Sequence, residues 1–212
     1  MSVDNRWGGW AAMVGGVLAL LLTPPFASAY LGWAEESPTP LIDKLRSAVD
    51  PLLGFASVDT VYQTYGRLYL LAALLMLAGL VVLRPQVAGR LGRLGDRGLV
   101  VLVVGWVMFV VGLVGDYVIG EVFGEVLHGL SFTVEGLGIL VLLVGVLLVG
   151  VSARRTGVLP APVALLLILA LPLAFIGTLL IGHLPSGPIL GVSAAWVGLG
   201  SSMRLSTSIA RP

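Results

Sequence analysis

Glu121, Glu125 and His128 are spaced +4 and +3, so they share one face wherever that segment is helical. Glu135 follows seven residues later, Asp116 precedes the group, and His183 is the other of two histidines. Arg67 completes the set of candidate site residues. Carboxylates and imidazoles gathered in this way can hold a cation, pass a proton or ligate a metal. Glu125-x-x-His128 has the spacing of a metal-ligating helical pair, but carboxylate-bridged dimetal bundles use two such motifs and this chain has one. The two histidines could in principle ligate a haem axially, yet both are expected near helix ends and neither has a surrounding motif. The plainer reading is a set of solvated acids in a loop. The functional one is a vestibule that handles protons or cations.

Other chemistries fall on residue type. The absence of Cys removes disulfides, thiolate metal sites and a thiol nucleophile. A retinal Schiff base needs a Lys inside the membrane, and the single lysine, Lys44, is expected in a loop. Gly191-Val192-Ser193-Ala194 is not the Gly-x-Ser-Gly of a rhomboid-type protease, and His183 precedes Ser193, the reverse of that family's order. There is no phosphate-binding Gly-Lys-Ser/Thr loop, no His-Glu-x-x-His and no Asp-rich prenyl-diphosphate motif. No catalytic residue, metal or cofactor is assigned, and no motif assigns the chain to a family.

The elements that must position these residues follow from composition. The chain has 212 residues, 58% hydrophobic and only 11% charged, with a mean hydropathy of +1.04. A soluble domain carries about 25% charged residues. Six spans of about 20 residues would use roughly 120 positions and leave no room for a catalytic domain outside the bilayer. The expected fold is therefore an all-α bundle of six transmembrane helices in a single integral membrane domain. The spans read as 7–30, 61–83, 99–119, 133–151, 163–181 and 188–203. The last is the shortest and is rich in Gly, Ser and Ala, so it reads as a short span or a re-entrant segment.

Charge gives the sidedness. Arg6, Arg84, Arg90, Arg93, Arg97, Arg154, Arg155, Arg204 and Arg211 face only Asp4 and Asp96 on one set of segments. The alternate segments carry nine acids against Lys44, Arg46 and Arg67. Basic loops are retained in the cytoplasm, so both termini are expected there and the acidic cluster outside. Trp7 and Trp10, then Tyr30 and Trp33, bracket the first span as interfacial aromatics. A rival reading of that span is a secretory signal: Arg6, the apolar run 11–22 and Ala27-Ser28-Ala29 resemble one with its cleavage site. The apolar stretch continues to Leu31, which favours an uncleaved helix; cleavage would leave five spans with their orientation unchanged.

The outer loop 31–60 is the longest. Thr39-Pro40 offers an N-cap with Pro at the first helical position. Leu41, Ile42, Leu45, Val49, Leu52 and Leu53 then recur at helical spacing, predicting a short amphipathic helix in the outer interface that Pro51 ends or bends. Asp59 reads as the N-cap of the second span. Pro24, Pro25 and Pro172 predict kinks in the first and fifth. Gly98, Gly105 and Gly112 form one small-residue stripe, and Gly187, Gly191, Ala195, Gly198 and Ser202 another. Such stripes let helix backbones approach, either inside the bundle or at a subunit interface. Arg67, about 12 Å into a helix begun at Asp59, is expected to pair with Asp116 or Glu135, because a lone charge in the bilayer centre costs about 2.5–3.5 kcal/mol. Snorkelling to the headgroups is its alternative.

The function these features lead to is non-enzymatic: binding or conducting a small solute or ion at an acidic outer face. The runner-up is an accessory subunit of a larger membrane complex, and an intramembrane enzyme comes third. Membrane lipid, other membrane proteins and further copies of the chain are the partners to expect; nucleic acid is not.

Overall fold

The computed structural model describes residues 4–35, 37–120 and 125–209. All regular structure among them is helical. Helices α1 (Asp4–Trp33), α2 (Pro40–Leu53), α3 (Val58–Val87) and α4 (Gly92–Val114) are followed by a π-helical turn, Gly115–Ile119. Then come α5 (Glu125–Thr156), α6 (Ala161–Ile181) and α7 (Ser186–Ile209). Five segments are long and apolar enough to cross a membrane: Arg6–Trp33, Val58–Val87, Gly92–Ile119, Val126–Thr156 and Ala161–Ile181. The stretch expected as a sixth span forms α7, which is not among these five.

The long helices pack in a closed order: α3 on α1, α1 on α7, α7 on α6, α6 on α5, α5 on α4, and α4 back on α3. Their outward faces carry Leu21, Val81, Val111, Leu140, Phe175 and Leu179. Apolar side chains outside as well as inside are what a lipid solvent permits. In the middle of the ring, Trp106 of α4 and Trp196 of α7 meet with centroids 5.4 Å apart. The Trp196 indole donates to the Met76 carbonyl of α3 at 2.8 Å, crossing the bundle.

Both glycine stripes are consumed inside the chain. A side-chain carbon on Gly98, Gly105 or Gly112 of α4 would run into Leu148, Leu142 or Glu135 of α5, and Gly138 and Gly145 of α5 accept Phe109 and Leu102 in return. On α7, Gly187 and Gly191 receive Gly177 and Ala170 of α6. Dispersion between closely approached backbones holds such pairs where lipid supplies no hydrophobic force.

Local signals fared unevenly. Thr39 caps α2 as its sequence predicts, accepting from the Ile42 amide at 3.3 Å with Pro40 at the first position. Helix α2 continues through Pro51 for two residues to Leu53. The cap of α3 is Ser57, whose hydroxyl accepts from the Thr60 amide, and not Asp59, which lies in the first turn beside the helix's positive end. Pro24 and Pro25 sit inside α1 and Pro172 inside α6. Helix α5 begins eight residues before the expected position 133, and this brings His128 and Ser131 onto the same helix as Glu135.

Candidate functional site

At the end of the bundle that carries α2, the ring of helices is filled by aromatic and polar groups in place of aliphatic ones. Helix α1 contributes Phe26, Tyr30 and Trp33; α3 contributes Tyr62, Tyr65 and Tyr69. The +4 step from Phe26 to Tyr30 and the +3 and +4 steps from Tyr62 to Tyr69 put each set on one helical face. Tyr117 comes from the π turn. Such a turn carries one extra residue, which allows consecutive side chains to face inward, and here Gly115, Asp116 and Tyr117 are all buried. Gly66 leaves the space that the Tyr117 ring fills, and Gly115 does the same for the Ser131 hydroxyl. The Tyr62 and Tyr117 hydroxyls lie 2.9 Å apart, joining α3 to the π turn.

Two carboxyls lie within this layer. Asp116 and Glu135 are each 1% exposed. Burial of this kind excludes the solvated-loop reading for both. Asp116 Oδ1 meets Nδ1 of His128 at 2.5 Å, while its Oδ2 has no hydrogen-bond partner. Neither oxygen of Glu135 has one. Glu135 lays its Cα and Cβ against Gly112, one helical turn from Asp116 on the α4 side. An ionised carboxylate in such a place needs a cation or a proton beside it, because desolvation without a partner is prohibitive.

Arg67 does not supply that partner. Its Nε donates to the Tyr117 carbonyl at 3.0 Å, the residue is exposed, and neither Asp116 nor Glu135 accepts a hydrogen bond from it. The expected pairing is thereby corrected. The wide turn frees backbone carbonyls from the usual ladder, and the guanidinium satisfies one of them at the surface of α3.

His183 sits in the link between α6 and α7, 1% exposed, and is set apart from the carboxyls by rings. Tyr30 stacks on it at 4.5 Å and Phe26 meets it edge-on at 4.6 Å. Its Nδ1 shares a hydrogen bond of 2.8 Å with Ser186 Oγ, and its Nε2 has no partner. Burial pushes the imidazole from its ordinary 6.5 down to about 3, which keeps it neutral. His128 instead lies beside Trp33, 5.9 Å between ring centroids. The Tyr30 and Trp33 rings lie between the two histidines. Glu121 lies outside the described residues, and of Glu125 only the backbone, at the start of α5, is described.

Helix α2 is fastened at this end by both termini. Thr39 Oγ1 donates to the Leu180 carbonyl at 2.5 Å, and the Tyr65 hydroxyl donates to the Leu52 carbonyl at 2.9 Å. Between them Ile42 buries itself against Ala27, Leu31 and Ile181. A cavity of about 400 Å³ remains beneath α2, lined by Ser28, Gly32, Ile42, Asp50 and Gly54 among others.

Of the residues singled out by sequence, the structure places Asp116, Glu135 and His128 at this end of the bundle. The aromatic layer is signalled only by the Tyr62, Tyr65, Tyr69 spacing, and Tyr30 and Trp33 read from sequence as interfacial anchors. No protein-family model, curated protein or solved structure matches this chain.

Proposed function

We propose that the chain is a small multi-pass protein of the cell membrane that binds or conducts a cation through Asp116 and Glu135. The observation that carries this is Glu135: a carboxyl 1% exposed, within an apolar helix, with neither oxygen hydrogen-bonded. Intramembrane carboxyls are costly, and in membrane proteins they mark ion and proton pathways. Aromatic rings around them lower the local dielectric and strengthen any charge interaction made there.

The finer topology belongs to the same proposal. Helix α7 completes six spans, both termini are cytoplasmic, and the acidic end with α2 faces outward, as the alternation of arginine-rich and acid-rich segments requires. The absence of native Cys allows the topology to be tested without background. A Cys at Gly54, the exposed residue after α2, should react with an impermeant thiol reagent in intact cells, and one at Thr156 should be protected. The cation reading is tested with purified protein in liposomes carrying a trapped pH dye and potassium or sodium gradients. Wild type should move or take up a cation; Glu135→Gln should abolish this while eluting as the same monodisperse species. Equal signals from the two proteins would refute the site.

A further inference from the structure

Among the described residues, the packing beside the two carboxyls is close. The Tyr117 ring fills Gly66, Ser131 fills Gly115, and Glu135 rests on Gly112, so that not even a methyl group could be added at those glycines without displacement. Phe26, Tyr62, Tyr69 and Tyr117 are in ring contact at centroid separations of 5.3–5.8 Å. An organic cation would have to push these rings apart. A metal ion would demand a shell of oxygen ligands in place of ring edges. A proton needs neither space nor a shell.

Among the described residues, His128 links this packed region to the aqueous end. The His128 side chain is 32% exposed, whereas that of Asp116, 2.5 Å away, is 1% exposed. The imidazole thus stands across the boundary, with Nδ1 turned to the carboxyl. Among the described residues, the other titratable and charged groups of the region are Tyr117 beside Asp116, Tyr62, Tyr69 and Arg67 on α3, Tyr30 on α1, His183 between α6 and α7, and Glu135 on the same helix as His128.

We infer that the cation taken up by the buried carboxyls is a proton and that His128 is its port from the aqueous end. This rests on the reading of Asp116 and Glu135 as a cation site. In the step, a hydronium or buffer acid protonates Nε2 of His128. The H–Nδ1 bond then breaks as an H–Oδ1 bond forms on Asp116, leaving the ring neutral with its proton on Nε2. One proton is transferred and no electrons change owner; the ring is reset when Nε2 gives its proton to water and Nδ1 takes one from water. Glu135, packed one turn away on Gly112, is the next carboxyl inward.

The test uses the full chain in phosphatidylcholine–phosphatidylglycerol liposomes, with infrared spectroscopy following the protonated-carboxyl C=O stretch after an acid jump. In wild type the band should rise, and Asp116→Asn and Glu135→Gln should each remove part of it. His128→Ala should slow the rise roughly tenfold or more, as loss of a positioned proton donor does, and free imidazole in the buffer should restore the rate. A structural role for His128 would not respond to imidazole. His128→Asn, a smaller change in shape, provides the same comparison if the alanine protein is unstable. An unchanged rate in both variants would overturn the port. A band driven at constant pH by sodium or methylammonium would overturn the proton. If the band persists in full in the Asp116→Asn, Glu135→Gln double variant, the cation site itself fails, which is a distinguishable result.

Discussion

The seam between α4 and α5 and the aromatic end of the same two helices are built from the same backbone and obey opposite rules. Along the seam, glycine faces side chain or backbone in reciprocal pairs, Gly105 against Leu142 and Gly145 against Leu102, with Ser152 against Gly95 at its far end. Two turns farther on, the same helices bury Asp116, Glu135 and Ser131, and leave both Glu135 oxygens without a hydrogen-bond partner. A sequence selected only for packing would have continued the first pattern through the second region, since apolar replacements of buried ionic groups are commonly neutral or stabilising. The departure, localised at one π turn, is the sign that this end answers to something other than stability.

The largest effect should come from breaking the seam. Gly105→Leu inserts a side chain where the Leu142 backbone already lies, and α4 and α5 form the most extensive pairing in the molecule. Overpacking costs about 1–3 kcal/mol where neighbours can shift and more where the obstacle is backbone. The variant should fail to yield monodisperse protein in detergent. Gly136→Ala on α5 is the control: nothing lies within 4 Å of the added carbon. It should gain about 0.5–1 kcal/mol from helix propensity, read as a higher Tm.

Glu135→Leu tests the opposite rule. It removes a buried carboxyl that has no partner, and an unsatisfied buried group costs about 1–3 kcal/mol. The variant should melt at the same or a higher temperature than wild type while losing cation uptake. A clear loss of stability would mean that Glu135 is held by an interaction of its own and that the contrast with the seam is smaller than it looks.

How much of this contrast could be read from the chain depended on the range of the signal. Helices, their approximate limits and the small-residue stripes are periodic features within one segment, and hydropathy reports them directly. The Thr39-Pro40 cap is local and was legible. Ser57 against Asp59 was a choice between two capping residues two positions apart, which only backbone geometry decides. The π turn has no periodic signature, yet it turns Asp116 toward His128 and supplies the Tyr117 carbonyl to Arg67. Charge complementarity alone therefore paired Arg67 with the wrong oxygens. The burial of Asp116 and Glu135 has no local signal, because burial at a helix end is decided by which neighbours cover it, here rings from α1 and α3.

His183 sharpens the comparison through pH. Its imidazole ionises at about 3 in the folded protein against 6.5 when exposed. The folded state therefore binds fewer protons than the unfolded one between those values, and stability rises with pH across that window. The contribution is complete above 6.5 and is lost as pH falls toward 3. Thermal stability in detergent should decline on acidification through that range. His183→Phe, which keeps a ring between Phe26 and Tyr30, should flatten the decline at the cost of the Ser186 hydrogen bond. A decline of the same slope in the variant would assign it to other groups.

The smallest effect should be the most localised. Thr39 makes two contacts through one hydroxyl, accepting from the Ile42 amide and donating to the Leu180 carbonyl. Thr39→Val keeps the shape and removes both. A lost N-cap costs about 1 kcal/mol, and α1 packs mainly on α3 and α7, with α2 a smaller contact. The cost should fall on the cover itself. Helix α2 buries little beyond Ile42 and Val49, and segments with few buried contacts open below the global transition. Hydrogen exchange of the α2 amides should quicken about fivefold, the equivalent of that 1 kcal/mol, while amides of the α4–α5 seam remain as slow as in wild type. Uniform acceleration along both would show that the cover and the seam unfold as one unit. Acceleration confined to α2 would show that the aromatic end is closed by its least stable element, and proton arrival at Asp116 in the Thr39→Val protein would then report whether α2 governs access to His128.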